Sequence, residues 1–347
     1  MVGAVLVRRG KVIGRGWHRQ TGGPHAEIEA LRDAQKRGHK TEGATLYVTL
    51  EPCCTHGRTP PCTDAIKAAG IRRVVAGATD PNPKHAGKGF KILKQAGIEI
   101  VHGVLADECA KLNDAFNHWI VHRTPFVTVK AAMTLDGKIA SAGGESKWIT
   151  GEKARHHGMK LRQGSDAILV GINTILADDP SLTARLAQGP KSKAQSPKLR
   201  RIVLDSQART PLDAKIVSDD LAGLTTIVVS RQAPKKRLVA LAKLVRVIAA
   251  PVSKSGLDLR WLLKKLGTEN ITSLLVEGGG EVNASFLLGG LAQRVAFFYA
   301  PKILGGREAR KGVAGDGAKS LSEALQLCDV AWQRLGEDLL LTASVVP

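Results

Sequence analysis

Apolar and polar positions alternate with two different periods along the first 123 residues, which predicts strands interleaved with helices. The opening runs, residues 3–7 and 11–16, predict a hairpin that turns at Arg9 and Gly10. Later apolar runs predict strands at 45–50, 72–78 and 98–102. Helical periodicity covers residues 26–37, 61–69, 89–96 and 107–122. This alternation is typical of a layered α/β domain with a largely parallel sheet.

The pattern is interrupted at Pro125, where we expect a domain boundary, with one domain over residues 1–123 and a second over 124–347. The second part repeats the α/β alternation. Its predicted strands are 126–131, 167–170, 201–205, 225–230, 244–248, 273–276, 295–299 and 339–345. Its predicted helices are 153–162, 258–266 and 281–288, and the Gly-, Pro-, Ser- and Lys-rich stretch 187–199 is predicted to be a loop. A chain of 347 residues is long enough for two such domains.

Composition places the chain among soluble globular proteins, with 43% hydrophobic and 24% charged residues. No apolar run approaches the length of a membrane span, so we expect no membrane partner. Five cysteines, two of them in a metal motif, favour a reducing cytoplasm over a disulfide scaffold. The protein is therefore expected to be cytoplasmic.

The net charge of +20 is compatible with nucleic acid, with phosphorylated small molecules or with a solvated basic surface. The basic residues are spread along the chain and form no dense basic helix. Aromatic residues, which would stack on bases, make up 4% of the chain. The pattern does not favour nucleic acid, and a phosphorylated small-molecule substrate accounts for the charge.

The candidate chemistry of the first domain begins at His25-Ala26-Glu27 and continues with Cys53 and Cys62. One histidine and two thiolates can hold zinc with a fourth position open for water, and a nearby non-ligand Glu can move protons. Gly23-Pro24 and Pro60-Pro61 each precede a predicted helix, so both helix starts can help to stabilise ligands there. A closed structural zinc or a buried thiol pair is the alternative, which three ligands plus the adjacent Glu27 disfavour.

The segment from Leu50 to Cys62, together with residues 22–27 and 80–83, strongly resembles the deaminase half of the bifunctional riboflavin-biosynthesis deaminase/reductase family. The resemblance implies a cytidine-deaminase-like α/β/α domain with one zinc ion per chain. It assigns the zinc to His25, Cys53 and Cys62 and the proton shuttle to Glu27. It also implies that four residues face the substrate: His18, Arg58, Asp80 and Asn82. The guanidinium of Arg58 suits a phosphate, whereas Asp80 and Asn82 could equally be turn residues.

Two features depart from the family's pattern. Relatives open with a helix and an Asn-Pro-x-Val-Gly turn, whereas this sequence begins at Met1-Val2-Gly3. Either the start of the sequence is set too late, or the deaminase half lacks its opening helix and has a weakened pyrimidine pocket. Many relatives also carry His two residues after the first Cys, where this chain has Thr55 followed by His56.

The second domain resembles the reductase half of the same family in residues 130–140, 144–150 and 171–185, at Ser206 and in the turn Glu277-Gly278-Gly279-Gly280. The resemblance implies a dihydrofolate-reductase-like α/β fold that binds NADPH. The implied cofactor-binding residues are Ala132, Trp148, Thr174, Asp178, Ser206, Gly279, Gly280, Glu281, Val282, Asn283, Ala284 and Ser285. The implied substrate-binding residues are Ser146, Arg162, Leu182, Arg185 and Glu277, with Arg162 and Arg185 suited to the 5-phosphate. Taken alone, the glycine turn is a weak phosphate-binding signal that a plain strand–turn–helix would also produce.

The sequence therefore predicts a bifunctional enzyme. The first domain would deaminate 2,5-diamino-6-ribosylamino-4(3H)-pyrimidinone 5′-phosphate with zinc and water. The second would reduce 5-amino-6-(5-phosphoribosylamino)uracil to the ribitylamino product with NADPH. The alternatives are an active reductase with an impaired deaminase and, in another class, a nucleic-acid-binding or -editing protein. By resemblance, the chain would form a homodimer or homotetramer through its second domain.

Overall fold

The protein is described by a computed structural model that covers residues 1–19, 22–57, 59–184, 199–253 and 256–346. The chain divides into two compact units, residues 1–123 and residues 124–347. Among the described residues, no helix combines the length and the apolar character needed to cross a membrane.

The first unit is a five-stranded sheet with helices on both faces. Its elements are β1 (Gly3–Arg8), β2 (Lys11–Trp17), α1 (Ala26–Lys36), β3 (Thr45–Leu50), α2 (Cys62–Ala68), β4 (Arg73–Ala78), α3 (Lys88–Gln95), β5 (Glu99–His102), α4 (Ala106–Lys111) and α5 (Asp114–His122). The strand order is β2-β1-β3-β4-β5. β1 runs antiparallel to both neighbours, while β3, β4 and β5 are mutually parallel. Strands β2, β3, β4 and β5 therefore run in the same direction and end at the same edge of the sheet, whereas β1 ends at the opposite edge.

Helix α1 lies unusually close to β2 because β2 contains glycines on the face that it presents to the helix. A Cβ on Gly16 would stand 2.3 Å from the carbonyl oxygen of Ala26 and from the amide nitrogen of Ala30. A Cβ on Gly14 would stand 2.3 Å from the carbonyl oxygen of Ala30. The absence of side chains at Gly14 and Gly16 of β2 therefore allows the start of α1 to pack directly against the sheet.

The two faces of the first sheet carry different helices. Ala26 and Ala30 of α1 and Ile66 of α2 share a core with Val74 and Ala76 of β4. Gly77 instead approaches α4, where an added Cβ would lie 2.2 Å from the sulfur of Cys109. Successive strand residues point to opposite faces, so α4 covers the face opposite α1 and α2. The predicted α/β/α layering is confirmed.

The strands and helices predicted in this unit are confirmed within one or two residues at their ends, with one exception. The single helix predicted over residues 107–122 is wrong at its centre. The structure has two helices there, α4 and α5, separated by Leu112 and Asn113. Asn113 leaves the helical conformation at φ −125° and ψ 22°. The side chain of Asn113 makes no capping bond to α5; its Oδ1 accepts a hydrogen bond from the amino group of Met1, far away in the sequence.

The second unit is built on a nine-stranded sheet in the order β11-β10-β9-β8-β14-β6-β15-β18-β17. Its strands are β6 (Phe126–Thr134), β7 (Lys138–Ala140), β8 (Ala167–Gly171), β9 (Arg200–Leu204), β10 (Thr225–Ser230), β11 (Arg246–Ala250), β12 (Val252–Ser253), β13 (Gly256–Leu257), β14 (Ser273–Val276), β15 (Arg294–Ala300), β16 (Arg310–Lys311), β17 (Leu327–Leu335) and β18 (Asp338–Val345). Its helices are α6 (Glu152–Gln163), α7 (Ile172–Asp178), α8 (Lys215–Ser218), α9 (Lys235–Ala242), α10 (Leu259–Thr268) and α11 (Gly280–Leu287). Short 3₁₀ turns lie at Ala222–Leu224 and Leu321–Glu323.

All pairings from β11 to β15 in this sheet are parallel, and β18 runs antiparallel to β15 and β17. Alternating strand residues form two cores. One face packs Val129, Leu169 and Val276 against α10 and α11. The other packs Val170 and Val203 of the strands against α7, α8 and α9. The predicted α/β architecture is confirmed.

Each strand predicted for this unit is present, and its ends differ from the prediction by at most two residues except in β6, which continues three residues further, to Thr134. The elements that were not predicted are α7, α8, α9, β17 and the short strands β7, β12, β13 and β16. Helices α7 and α8 have seven and four residues, at most two turns, too short for the apolar pattern to repeat several times. Strand β17 is exposed along nearly its whole length, so it lacks an apolar alternation. The predicted loop at 187–199 lies outside the described residues except for Leu199, which is buried.

We expect Gly16→Ala to separate α1 from the sheet and to cost about 1–3 kcal/mol of stability, since the added methyl meets backbone atoms that cannot rotate away. Thermal unfolding of the full chain measures the loss of stability. Its metal content reports the displacement of α1, because His25 directly precedes that helix. Gly3→Ala is the matched control in the paired strand, because a Cβ there meets nothing within 4 Å among the described residues. Equal stability of the two variants would contradict the close approach.

Candidate functional site

The common edge where β2, β3 and β4 end collects most of the predicted deaminase residues. His18 follows β2, Cys53 follows β3, and Asp80 follows β4. Helices α1 and α2 begin at the same place: His25 is the residue before α1, and Cys62 is the first residue of α2. Residues far apart in sequence are thus brought together by strand direction and helix starts.

The three predicted zinc ligands lie close together: their ligand atoms are all within 4.8 Å of one another. The Nδ1 atom of His25 is 3.4 Å from the Cys53 sulfur and 3.3 Å from the Cys62 sulfur. Tetrahedral zinc with bonds of about 2.3 Å to sulfur and 2.0 Å to nitrogen holds such atoms about 3.5 Å apart. The donor set therefore fits zinc in both chemistry and spacing, with Nδ1 as the histidine donor.

The two cysteine thiols differ in pKa, and therefore in how readily each becomes the thiolate that binds a cation. The thiol of Cys62 donates to Cys53, and this hydrogen bond, with further help from His25, lowers the pKa of Cys53 to about 4. The Cys62 backbone N–H also donates to the Cys53 sulfur over 3.3 Å. The pKa of Cys62 is raised in turn, chiefly because its proton is held by Cys53. Cys53 is thus the more readily ionised thiol of the pair, and Cys62 would lose its proton when a metal ion takes the proton's place.

Glu27 lies in the first turn of α1 with 3% of its surface exposed. Burial raises the pKa of this carboxyl to about 6. A carboxyl that changes protonation near neutral pH is suited to accept and return a proton. Its position two residues from His25 puts that capacity beside the donor cluster.

The other ring nitrogen of His25 contacts a residue that the sequence did not suggest. Thr59 Oγ1 lies 3.3 Å from His25 Nε2, and this contact orients the ring. The ring of His18 packs edge-on against that of His25 with centroids 5.3 Å apart, and its own Nδ1 is 3.0 Å from the Pro24 carbonyl. A Thr among several polar loop residues carries no signal of its own, so only the fold identifies Thr59.

Glu51 is a second residue that the sequence did not suggest, although a buried carboxylate directly after a strand could have indicated it. It is 3% exposed and accepts backbone N–H groups from Asp80, Gly87 and Gly89 at 2.9–3.1 Å. Asp80 in turn accepts the N–H of Asn82 at 2.8 Å. Asp80 and Asn82 thus hold their own loop in place at the donor edge, as turn residues do.

Thr55, the residue that departs from the family's pattern, packs against His85 from this same loop. His85 Nε2 lies 3.5 Å from Thr55 Oγ1, and His85 Nδ1 accepts from the Cys54 N–H at 3.4 Å. The imidazole of His85 therefore braces the segment that follows Cys53. Two predicted substrate residues, Arg58 and Arg185, lie outside the described residues.

In the second unit, Glu277 and Arg162 form a buried ion pair. The guanidinium donates to both carboxylate oxygens at 2.8 Å. Lys130 of β6 adds a contact of 3.4 Å to the same carboxylate. Burial alone would raise the pKa of Glu277, but Lys130 and Arg162 outweigh it and lower the pKa to about 2. The sequence analysis missed Lys130, although a lysine inside an apolar strand was a usable signal.

The segment after α7 is fixed by bonds to its backbone carbonyls. Arg162 donates to the carbonyl of Thr183 at 3.0 Å, next to Leu182, which is buried with φ +49°. At the end of α7, Asp178 accepts the hydroxyl of Ser146 at 3.2 Å. Separate hydrogen bonds therefore hold the two ends of this segment: Ser146 bonds to Asp178 at the end of α7, and Arg162 bonds to the carbonyl next to Leu182. Trp148 is 67% exposed and stacks under Arg155.

The glycines of the turn after β14 have different reasons for being glycine. A Cβ on Gly278 would lie 2.5 Å from the Val282 side chain, and one on Gly280 would lie 2.3 Å from the Lys311 carbonyl. Gly279 meets nothing within 4 Å among the described residues. Two glycines thus serve internal packing, and Gly279 leaves open space at the start of α11, where free N–H groups favour an anion.

A further observation favours a polar ligand at this turn. Asn283 is fully buried, its amide nitrogen donates to the Gly312 carbonyl, and its Oδ1 has no partner among the described residues. The remaining predicted cofactor residues lie on several different elements. Ala132 lies in β6, Thr174 in α7, and Ser206 is exposed after β9. Within α11, Glu281 and Ser285 are exposed, Val282 packs on Gly278, and Ala284 is buried.

Family models match both units. Residues 125–341 match the RibD C-terminal domain, and residues 1–78 match the cytidine and deoxycytidylate deaminase zinc-binding region. Among curated relatives, the riboflavin biosynthesis protein RibD of Actinobacillus pleuropneumoniae is 42% identical over 347 residues, covering 100% of this chain and 89% of the relative. RibD of Aquifex aeolicus is 43% identical, covering 98% of this chain and 90% of the relative.

Solved structures agree. Acinetobacter baumannii RibD superimposes with a TM-score of 0.84 at 36% identity, covering 100% of this chain and 92% of that one. A Thermotoga maritima diaminohydroxyphosphoribosylaminopyrimidine deaminase/5-amino-6-(5-phosphoribosylamino)uracil reductase superimposes with a TM-score of 0.83 at 35% identity, covering 99% and 92%. The chain belongs to the RibD family of riboflavin biosynthesis and is a bifunctional enzyme with a zinc-binding deaminase domain and a reductase domain.

Proposed function

We propose that the first domain hydrolyses the ring amine of 2,5-diamino-6-ribosylamino-4(3H)-pyrimidinone 5′-phosphate. The second domain then reduces 5-amino-6-(5-phosphoribosylamino)uracil to the ribitylamino compound with NADPH. The observation that carries this proposal is the three-donor cluster of His25, Cys53 and Cys62 beside the buried Glu27. Three donors leave one tetrahedral position free, as a catalytic site requires.

In the deaminase half, His25, Cys53 and Cys62 would hold zinc, which supplies Lewis-acid activation of water when bound. Glu27 accepts the proton of the attacking water and passes it to the departing amine. The carbon–nitrogen bond breaks, a carbonyl forms, and ammonia leaves. The raised pKa of Glu27 suits both directions of this transfer. His18, Asp80 and Asn82 border the donor edge and would orient the pyrimidine, together with Arg58.

In the reductase half, Arg162, Glu277 and Lys130 present a fixed charged cluster to the substrate. Arg162, with Arg185, would bind the 5′-phosphate, and Ser146 and Leu182 would line the same cleft. NADPH, when bound, supplies the hydride that reduces the open-chain imine carbon of the ribosylamino group. Gly279 and the start of α11 would receive its diphosphate, and Thr174, Asp178, Ser206, Ala132 and Trp148 would flank it. Positioning dominates such a reaction, which agrees with a rigid ion-pair network at the site.

Replacing one sulfur tests the metal set. Cys53→Ser should abolish stoichiometric zinc binding, since a hydroxyl is a far poorer ligand than the thiolate that Cys53 provides. Metal analysis of the purified full chain measures it. Cys54→Ser is the matched control at the next position and should keep one zinc per chain. Retention of zinc by the Cys53 variant would exclude the proposed ligand set.

Replacing the proton carrier tests the catalytic role. Glu27→Gln should lower ammonia release from the diaminopyrimidine by about 100-fold or more, because the amide cannot take the water proton. Zinc content and NADPH oxidation with the deaminated substrate should stay unchanged. Glu29→Gln, two residues along the same helix, removes an ion pair with Arg32 and should leave ammonia release intact. A Glu27 variant that deaminates normally would refute the assignment.

Neutralising the buried acid tests the reductase cluster. Glu277→Gln leaves Arg162 and Lys130 without their counter-charge and should destabilise the second domain by about 3 kcal/mol, with loss of NADPH oxidation. Glu269→Gln also removes a bidentate arginine partner, Arg246, but at a more exposed site, and should cost less than about 1 kcal/mol. Urea unfolding and both assays measure these effects. Equal costs for the two variants would argue against a special role of Glu277.

A further inference from the structure

The order of strands in the second unit indicates in which direction a bound dinucleotide would extend along the carboxyl ends of the strands. Neighbouring strands run β9-β8-β14-β6, all parallel, so their carboxyl ends lie side by side at one edge. The charged cluster takes Lys130 from β6 and Glu277 from the end of β14, and the open Gly279 turn follows immediately. A dinucleotide that reacts near β6 and places its diphosphate at that turn must extend its adenosine half toward β8 and β9.

The segment after β9 is held rigidly on both sides of one exposed arginine, Arg209. Asp205 is fully buried and accepts both the N–H and the hydroxyl of Thr210 at 2.7 Å. Arg237 of α9 donates to the carbonyl of Ala208 at 2.9 Å and to the carbonyl of Thr210. The backbone on either side of Arg209 is therefore fixed, while its side chain stays outside.

Backbone strain marks the same place. Ala208 is fully buried with φ +56°, a left-handed conformation that a non-glycine residue adopts only when its surroundings enforce it. Such strain concentrates at ligand clamps. The conformation turns the chain so that the Arg209 guanidinium reaches Asn173 Oδ1 at 3.0 Å, over the first turn of α7. The guanidinium thus lies at the first turn of α7, the helix that directly follows β8.

We propose that Arg209 binds the 2′-phosphate of NADPH and so selects NADPH over NADH. This assignment rests on the proposed reductase function. The 2′-phosphate is the group that distinguishes the two coenzymes, and it sits on the adenosine ribose, the half that extends toward β9. A guanidinium matches phosphate oxygens with paired N–H donors, and Asn173 holds one donor so that the planar group is oriented in advance. The exposed Ser206 at the start of the segment adds a hydroxyl donor.

The competing explanation is that Arg209 only fastens the loop to α7 through Asn173. The two explanations differ in what they predict for binding. A fastening residue would affect both coenzymes alike, whereas a phosphate ligand would affect NADP⁺ and leave NAD⁺ nearly unchanged. Arg209→Met keeps the length of the side chain and removes every donor. Arg209→Lys keeps the charge and loses the paired geometry.

The experiment measures dissociation constants of NADP⁺, NAD⁺ and adenosine 2′,5′-bisphosphate by calorimetry on the full chain. Arg209→Met should weaken NADP⁺ and the bisphosphate by about 10- to 100-fold, with little change for NAD⁺, and Arg209→Lys should fall between. The control is Arg260→Met on α10, an exposed arginine with a comparable single bond to the Gly289 carbonyl. Unchanged deaminase activity and zinc content verify folding.

The outcomes separate the two levels of the argument. An unchanged ratio of NADP⁺ to NAD⁺ affinity in Arg209→Met would overturn the assignment of Arg209 and leave the reductase proposal standing. The same loss in Arg260→Met would overturn it as well, because general charge would then explain the effect. If the unsubstituted protein bound neither coenzyme, the proposed reductase function would fail together with this assignment.

Discussion

Both domains depend on one geometric constraint: parallel strands end at the same edge of their sheet. In the first domain, the ends of β2, β3 and β4 carry His18, Cys53 and Asp80 to one edge. In the second, the ends of β8, β9 and β14 carry α7, the Arg209 segment and the glycine turn. Side-chain chemistry differs completely between the two sites. The backbone arrangement that collects it is the same, as expected for open α/β sheets.

Helix starts complete what the strand ends begin. A strand end brings one residue to the edge, and the first turn of the following helix brings a second, with N–H groups that favour negative charge. Cys53 and Cys62 illustrate this, since the N–H at the start of α2 donates to the Cys53 sulfur. The glycine turn before α11 offers the same feature to a phosphate. At each site, backbone N–H groups at a helix start therefore favour negative charge independently of the side chains there.

The sequence was sufficient to predict the domains' architecture, the strand positions and the donor cluster. Apolar runs bounded by Gly and Pro indicate the strands and helices of an α/β domain from local sequence alone. His, Cys and Glu at these spacings are specific for a zinc deaminase site. It could not predict Thr59 or His85, and it gave only a weak indication of Glu51, because their roles arise from contacts across the fold with residues 29 to 38 positions away. The break at Asn113 was equally hidden, since the apolar period continues through it and the side chain bonds to Met1, a residue remote in sequence.

Glu51 has a consequence for how the metal site comes into being. Its buried carboxylate accepts two amide groups from the loop after β4, those of Asp80 and Gly87, and that of Gly89 in the first turn of α3. The protein's own hydrogen bonds therefore hold this side of the site. Removal of the metal ion should therefore abolish deamination while the segment that Glu51 holds keeps its conformation.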